Sequence, residues 1–202
     1  MFKKPGTFIF FGCSGSGKDT QENLLIKFLN ENSGIKTISC TVGDKLRELS
    51  RKDTYTSQIT KKTIESGELM PVFVPVWSWS SFLIENFTGN EHLTFNGISR
   101  RKIEAEILDG ALKFYNRELV FVIFINVSKE WAMERLLSRG RKDDTKEGIG
   151  KRLNWFDENT MPAIKYFQEK EDYYFLDING EQSIQEVHEE IKTKIKEKID
   201  EK

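Results

Sequence analysis

The sequence predicts an α/β domain in which helices flank a five-stranded parallel sheet. Five short apolar runs have the length of strands, and they occupy residues 7–11, 35–39, 93–96, 120–127 and 174–178. Helical spacing of apolar residues, at three and four positions, marks the stretches between them and is clearest at Val187, Ile191 and Ile195. Strands that alternate with helices are typical of a parallel sheet with right-handed crossovers.

The predicted elements follow one another as strand and helix along the chain. Residues 7–11 read Thr-Phe-Ile-Phe-Phe, a continuous run that is typical of a strand buried on both faces. An apolar stripe that includes Leu25 and Leu29 predicts a helix directly after this strand. Residues 103–112 predict another helix, and the Lys- and Glu-rich stretch 184–199 predicts the last one.

Composition and charge limit the classes of function. With 202 residues, 38% of them hydrophobic, and 15 Phe, the chain has enough apolar side chains for the core of one domain. The 31 basic and 32 acidic residues give a formal net charge of -1, which disfavours non-specific binding to nucleic acid. The longest apolar run, 120–125, is too short to span a membrane, and the first residues do not resemble a signal peptide. We therefore expect a cytoplasmic protein that binds neither nucleic acid nor a membrane.

A glycine-rich loop directly after the first predicted strand carries the strongest chemical signal. Four residues separate Gly12 from the Gly17-Lys18 pair. In such a loop, backbone N–H groups turn toward phosphate oxygens, and the positive end of the next helix adds to the attraction. Lys18 is placed to reach the β- and γ-phosphates, and Thr20 to supply a hydroxyl to Mg²⁺. The residues predicted to bind ATP in this loop are Gly12, Ser14, Gly15, Ser16, Gly17, Lys18, Asp19 and Thr20.

The hydroxyl at Thr20, followed by Gln21, makes this loop resemble that of the adenylate kinase family of nucleoside monophosphate kinases. Four further segments resemble the family in order. They are 41–47, the start of its monophosphate-binding region; 67–70, the turn that meets the acceptor base; 95–100, the loop that carries a second arginine; and 141–153, the end of its lid and the helix after it. The resemblance implies a P-loop kinase fold in a single domain over residues 1–202. It also implies an NMP-binding segment at about 41–87 and a short lid at about 139–150.

The resemblance further implies arginines around the phosphates of both substrates. Arg47 and Arg100 would clamp the acceptor phosphate, while Arg135 and Arg139 would contact ATP. The implied catalytic residues are Lys18, Arg135, Arg141 and Arg152. The implied NMP-binding residues are Val42, Arg47, Glu68, Met70, Gly97, Arg100, Glu104, Arg141 and Arg152. Taken singly, each arginine could be an ordinary surface ion-pair partner.

The metal site of the family is matched with two departures. The implied ligands of Mg²⁺, mostly through water, are Thr20, Asp44 and Asn96. Asn96 stands where the family has an aspartate, and Asp19 is an acid where the family has a glycine. One interpretation is that a carboxylate has moved from one side of the metal site to the other. The alternative is that Asp19 points away from the phosphates and pairs with a neighbouring cation.

Two positions that bind the acceptor base in the family differ here from the residues found in its AMP-specific members. Val42 replaces a hydroxyl, and Glu104 replaces a glutamine. An ionised carboxylate only accepts hydrogen bonds, so Glu104 would suit guanine or the cytosine amino group better than the adenine ring. The alternative is that Glu104 is only a favourable acid at the start of the 103–112 helix. A base-reading Glu104 predicts that Glu104→Gln shifts preference toward AMP.

These observations predict a Mg²⁺-dependent kinase that transfers the γ-phosphoryl group of ATP to an NMP, with AMP as the first choice because adenylate members dominate the family. Two alternatives stay open. GMP, CMP or UMP is the preferred acceptor in one of them. In the other, the chain is a nucleotide-binding regulator or assembly factor with little turnover. The expected partners are ATP and an NMP, and the expected oligomeric state is a monomer.

Overall fold

The structure is a computed structural model, and it describes residues 2–140 and 144–200. Five strands form one sheet: β1 (Thr7–Phe11), β2 (Thr37–Thr41), β3 (His92–Asn96), β4 (Val120–Asn126) and β5 (Tyr174–Asn179). Every neighbouring pair is parallel, in the order β2-β3-β1-β4-β5. The predicted five-stranded parallel sheet is confirmed, although the second strand begins and ends two residues later than the predicted 35–39.

Helices connect the strands and lie on both faces of the sheet. They are α1 (Lys18–Asn32), α2 (Val42–Leu49), α3 (Tyr55–Glu65), α4 (Phe73–Asn86), α5 (Lys102–Phe114), α6 (Lys129–Arg139), α7 (Lys146–Trp155), α8 (Met161–Gln168) and α9 (Ile184–Asp200). A π-helical turn, Phe156–Thr160, joins α7 to α8. In the part of the chain that the structure describes, no helix combines the length and the apolar character that a membrane crossing needs.

The central strand β1 divides the core into two layers. Its side chains alternate, so that Phe8 and Phe10 pack with α1 and α9, while Ile9 and Phe11 pack with α4, α5 and α8. All five residues of β1 are buried, as expected for a strand between two helical layers.

The order of the strands determines where a ligand can bind. The chain leaves β1 toward β2 and β3 on one side, and then crosses to β4 and β5 on the other. In open α/β sheets, the crevice outside the carboxyl ends of the strands at such a switch point is the usual ligand site. The glycine-rich loop begins here, directly after Phe11.

Candidate active site

The loop between β1 and α1 has backbone conformations that favour glycine. Gly12, Gly15 and Gly17 all have positive φ angles, of 152°, 89° and 91°. A Cβ atom on Gly12 would lie 2.9 Å from the Ile125 carbonyl oxygen, and one on Gly15 would lie 2.6 Å from the Ala132 carbonyl oxygen. Larger residues therefore cannot occupy these two positions without moving the backbone of neighbouring elements.

Lys18 begins α1 and folds back over this loop. Its Nζ donates a hydrogen bond of 3.5 Å to the carbonyl oxygen of Cys13, and its side chain is only 16% exposed. Burial lowers the pKa of Lys18, and the nearby Asp19 carboxylate opposes that effect. The ammonium group therefore has a site that an anion would stabilise further.

A cavity of about 510 Å³ opens beside the loop at the carboxyl edge of the sheet. Most of the predicted site residues line it: Ser14, Gly15, Gly17, Lys18, Asp19, Thr20, Arg47, Glu68, Met70, Asn96, Gly97, Arg100, Arg135, Arg139 and Arg152. The exceptions among the predicted residues that the structure describes are Gly12, Ser16, Val42, Asp44 and Glu104. Arg141 lies outside the described residues. Residues from six separate regions of the sequence thus meet around one cavity.

Another part of the cavity lining comes from α2 and from the loop after β3. Arg47 lies in the last turn of α2, where the carboxylate of Asp44 contacts its guanidinium group. Arg100 follows a loop in which Gly97 and Ser99 both have positive φ angles, 68° and 56°. A left-handed conformation is uncommon for serine, and such residues concentrate at functional sites.

Glu104 does not face the cavity, because its carboxylate is engaged at the start of α5. One oxygen accepts a hydrogen bond of 2.8 Å from the Arg100 backbone N–H, and the other lies 3.3 Å from the Arg101 guanidinium. The residue is 1% exposed, and burial raises the pKa of its carboxyl group. This geometry favours the interpretation of Glu104 as an acid at the helix start. Contact with a base stays a prediction.

Arg139 and Arg152 share one carboxylate that the sequence analysis did not single out. Asp144 accepts two hydrogen bonds of 2.9 Å from Arg139 and one of 2.6 Å from Arg152. Its side chain is fully buried, which raises its pKa, but the two guanidinium groups outweigh burial and bring the pKa to about 2. The pairing depends on how α6 and α7 lie against each other, so sequence spacing alone carried no signal for it.

Asn96, at the end of β3, connects Asp19 to a second missed residue. Its Nδ2 donates to an Asp19 oxygen at 3.0 Å and to a Glu22 oxygen at 2.8 Å. Glu22 is 3% exposed, and its other oxygen accepts hydrogen bonds from Thr94 and Ser39. The two positions that depart from the family pattern, Asp19 and Asn96, are therefore in direct contact. Asp19 also lies 3.8 Å from Lys18, so the structure contains features of both sequence interpretations.

Trp155, the last residue of α7, also lines the cavity and was not predicted. Its indole N–H donates a hydrogen bond of 3.0 Å to the Gly67 carbonyl oxygen, in the turn after α3. The Arg100 guanidinium lies 5.3 Å from the centre of its ring. Sequence spacing alone carried no signal for this residue, because its role depends on contacts across the cavity.

Comparison with known proteins gives a consistent result. The family model described as adenylate kinase matches residues 10–172. The chain is 33% identical over 184 residues to "Adenylate kinase 1" of Nostoc sp. (strain PCC 7120), covering 91% of this chain and 95% of that protein. It is 32% identical over 189 residues to an adenylate kinase of Azobacteroides pseudotrichonymphae, with 92% and 94% covered. It is also 28% identical over 197 residues to the uridylate kinase of Saccharomyces cerevisiae, with 93% and 89% covered.

The matched region begins within β1 and ends shortly before β5, so it includes the glycine-rich loop, α2, the loop after β3 and α7. These are the elements that surround the cavity. With the family model and relatives above 30% identity in agreement over most of its length, the chain belongs to the adenylate kinase family.

Proposed function

We propose that AMP is the preferred acceptor of this protein. Membership of the adenylate kinase family indicates an ATP-dependent nucleoside monophosphate kinase. The observation that carries the nucleotide-acceptor assignment is one cavity that Lys18, Arg47 and Arg100 all line. A kinase for a neutral acceptor has no need of these two arginines beside the phosphate loop. The two adenylate kinases among the relatives described above support AMP as the acceptor.

The donor side binds the phosphates of ATP. Backbone N–H groups of the glycine-rich loop and the N-terminal end of α1 surround the phosphate oxygens, and Lys18 exchanges its contact with the Cys13 carbonyl for the β- and γ-phosphates. The buried position of Lys18 supports this role, since a phosphate restores the charge stabilisation that burial removes.

The acceptor side binds the phosphate of the NMP. Arg47 and Arg100 present planar guanidinium groups that can bind phosphate oxygens in pairs, a geometry that lysine cannot reproduce. Glu68 and Met70 lie on the turn after α3 and contact the nucleoside. Each arginine has a carboxylate partner before the substrate arrives: Asp44 contacts the Arg47 guanidinium, and Glu104 accepts a hydrogen bond from the Arg100 backbone N–H.

Arg135, Arg139 and Arg152 act on the phosphoryl group that is transferred. They extend from α6 and α7 and line the same cavity as Lys18, Arg47 and Arg100. Phosphoryl transfer needs little covalent chemistry from the protein, and its catalysis is mainly positioning and electrostatic stabilisation. We extend the same role to Arg141 on the basis of the family resemblance alone.

The residues of the cavity also fit Mg²⁺. Thr20, Asp19 and Asn96 place hydroxyl, carboxylate and amide oxygens at its donor side, and these are the hard ligands that Mg²⁺ prefers. Within residues 2–140 and 144–200, no cluster of three His, Cys, Asp or Glu could hold a metal ion by itself. This arrangement suits an ion that keeps several waters and is bound largely by substrate phosphates, whose negative charge it neutralises. Asp44, engaged with Arg47, is the weakest of the metal ligands implied by the resemblance.

UMP is the strongest alternative acceptor, because a uridylate kinase is among the relatives. Val42 and Glu104 differ from the residues that bind AMP in the family, which supports an acceptor other than AMP without selecting one. A coupled assay that measures kcat/KM for AMP, GMP, CMP and UMP with ATP and Mg²⁺ tests the proposal. We expect the highest value for AMP. A higher value for another NMP would contradict the proposed acceptor, and no turnover of any NMP above a Lys18→Ala background would contradict the kinase assignment.

A further inference from the structure

Trp155 makes two separate contacts with the acceptor side of the cavity. Its N–H group binds the carbonyl oxygen of Gly67, and its ring face lies against the guanidinium of Arg100. The first contact reaches the turn between α3 and α4, and the second reaches the loop between β3 and α5. One side chain therefore joins two segments that are far apart in the sequence and that both contribute to the acceptor site.

From these contacts we infer that Trp155 is a positioning residue for the acceptor phosphate: it fixes the Arg100 guanidinium and anchors the Gly67 turn so that both face the NMP. The inference rests on the proposed function and adds a residue that the family resemblance did not supply.

The environment of Arg100 supports this inference. Its backbone is held at both ends, since its N–H donates to Glu104 at 2.8 Å and its carbonyl oxygen accepts from the Thr160 hydroxyl at 3.3 Å. Among the contacts in the described part of the chain, the face of Trp155 is the aromatic surface against which the guanidinium rests. An arginine that stacks on an aromatic ring can still bind an anion through its N–H groups, because stacking uses the face of the guanidinium and the N–H groups point outward in the guanidinium plane.

The Gly67 turn depends on the same region of α7. Gly67 has a φ of 70°, and a Cβ atom there would lie 3.6 Å from the carbonyl oxygen of Gly148, near the start of that helix. The N–H group of Trp155 satisfies the Gly67 carbonyl oxygen at the other end of the helix. Glu68 and Met70, which line the cavity, follow directly on this turn, so its position determines where they lie.

The two contacts can be separated by substitution. Trp155→Phe keeps an aromatic face for Arg100 and removes the N–H donor, whereas Trp155→Leu removes both. We expect Trp155→Phe to raise the KM for the NMP by about 3- to 10-fold, as for one lost hydrogen bond. We expect Trp155→Leu to raise it by a further factor of about ten, as for a partly desolvated cation–π contact. The KM for ATP should stay within about twofold in both variants, because the tryptophan contacts are on the acceptor side.

Trp77→Leu is the matched control, because this tryptophan lies 51% exposed on α4 and does not line the cavity. It should leave both KM values unchanged. Intrinsic fluorescence adds a readout that does not depend on turnover: saturation with the NMP should change the emission of the wild type, and the change should be smaller in Trp155→Phe.

The outcomes separate the inference from the proposed function. If the wild type phosphorylates no NMP, the proposed function fails. If the wild type is active and Trp155→Phe keeps the acceptor KM and the fluorescence change of the wild type, the positioning role of Trp155 is wrong and the kinase assignment stands. If both variants lose kcat and thermal stability with no selective change in acceptor KM, Trp155 is only a packing residue and the inference is equally overturned. If Trp155→Leu does not fold, the Phe variant alone decides.

Discussion

The carboxylate of Asp144 lies 2.6 Å from a guanidinium nitrogen of Arg152 and also accepts a pair of hydrogen bonds from Arg139. It therefore holds two arginines that face the cavity, one from the end of α6 and one from α7. Without this carboxylate, the positive charges of Arg139 and Arg152 would repel each other. The buried acid orients both guanidinium groups before the phosphates bind.

Asp144→Asn should therefore lower kcat about tenfold, because the arginines lose the geometry that positioning requires. Asp157→Asn is a suitable control, since Asp157 forms a half-exposed ion pair with Lys129, and such surface pairs contribute little. Steady-state kinetics with thermal melting checks both variants. An Asp144→Asn enzyme with unchanged kcat would show that the carboxylate is not needed to orient the arginines.

The pH dependence of this contact follows from the low pKa of Asp144, about 2 in the folded protein. A carboxyl group with a depressed pKa stabilises the fold above its unfolded pKa of about 4, and this contribution is lost as the pH falls toward 2. Asp144 should thus stay ionised throughout the range of an activity assay. We expect the kcat profiles of the wild type and Asp144→Asn to be parallel between about pH 5 and pH 9, and a divergence within that range would contradict this.

Lys18→Ala should lower kcat by about 10³-fold or more, because it removes the cation that lies over the phosphate loop. The melting temperature should change little, since the contacts of the ammonium group within the described residues are long: a hydrogen bond of 3.5 Å to Cys13 and an ion pair of 3.8 Å with Asp19. Lys27→Ala on the exposed face of the same helix is the control and should be neutral. Turnover close to that of the wild type in Lys18→Ala would refute the assignment of the phosphate loop.

Arg47→Ala and Arg100→Ala should each raise the KM for the NMP by about 10- to 100-fold while the KM for ATP changes little, because charge-assisted hydrogen bonds to one phosphate are lost. Arg51→Ala, on an exposed residue just after α2, is the control. Kinetics with each substrate varied in turn checks the split. Loss of ATP affinity with an unchanged KM for the NMP would show that the arginine contacts ATP and not the acceptor phosphate.

Glu104→Gln should leave the ranking of the four NMPs unchanged, which differs from the shift expected for a base-reading carboxylate. The reason is that both oxygens of Glu104 bind at the start of α5, to the Arg100 N–H and to Arg101. An amide can replace only one of these oxygens as an acceptor, so the KM should rise by a similar factor for every NMP. A changed ranking of the four NMPs would contradict this and would show that Glu104 contributes to base specificity.

Asp109 joins α5 to the region before β5 and should determine acid stability. Its carboxylate is 4% exposed and accepts hydrogen bonds from Tyr173, Tyr166, Lys170 and Lys113. Burial opposes ionisation, but these four donors outweigh it and hold the pKa well below its usual range. Asp109→Asn should cost about 2–4 kcal/mol at neutral pH.

The difference in stability between the wild type and Asp109→Asn should shrink as the pH falls below about 4, because the unfolded chain then takes up a proton that the folded chain resists. Denaturant unfolding at several pH values measures it, with the exposed Asp172→Asn as the control. A difference that stays constant from pH 7 to pH 3 would contradict the role of the ionised carboxylate.

The sequence by itself determined the fold class and the phosphate loop. Both depend on local order: β1 is a continuous apolar run, and the spacing from Gly12 to Lys18 leads directly into a helix. Gly12, Gly15 and Gly17 have positive φ angles, which residues with a side chain rarely adopt, so this backbone requirement leaves a glycine pattern in the sequence. The arginines were predicted because a family resemblance supplied their order along the chain.

Only the tertiary structure decided what these arginines contact. The sequence contains no signal that Asp144 joins Arg139 to Arg152, or that Glu22 meets Asp19 through Asn96. Glu104 is a second example. Its position in the sequence fits both a residue that binds the base and an acid at the start of α5, and the hydrogen bond from the Arg100 N–H favours the second role. Each of these contacts depends on where the sheet brings distant segments together, and side-chain partners across a cavity have no fixed spacing in the sequence.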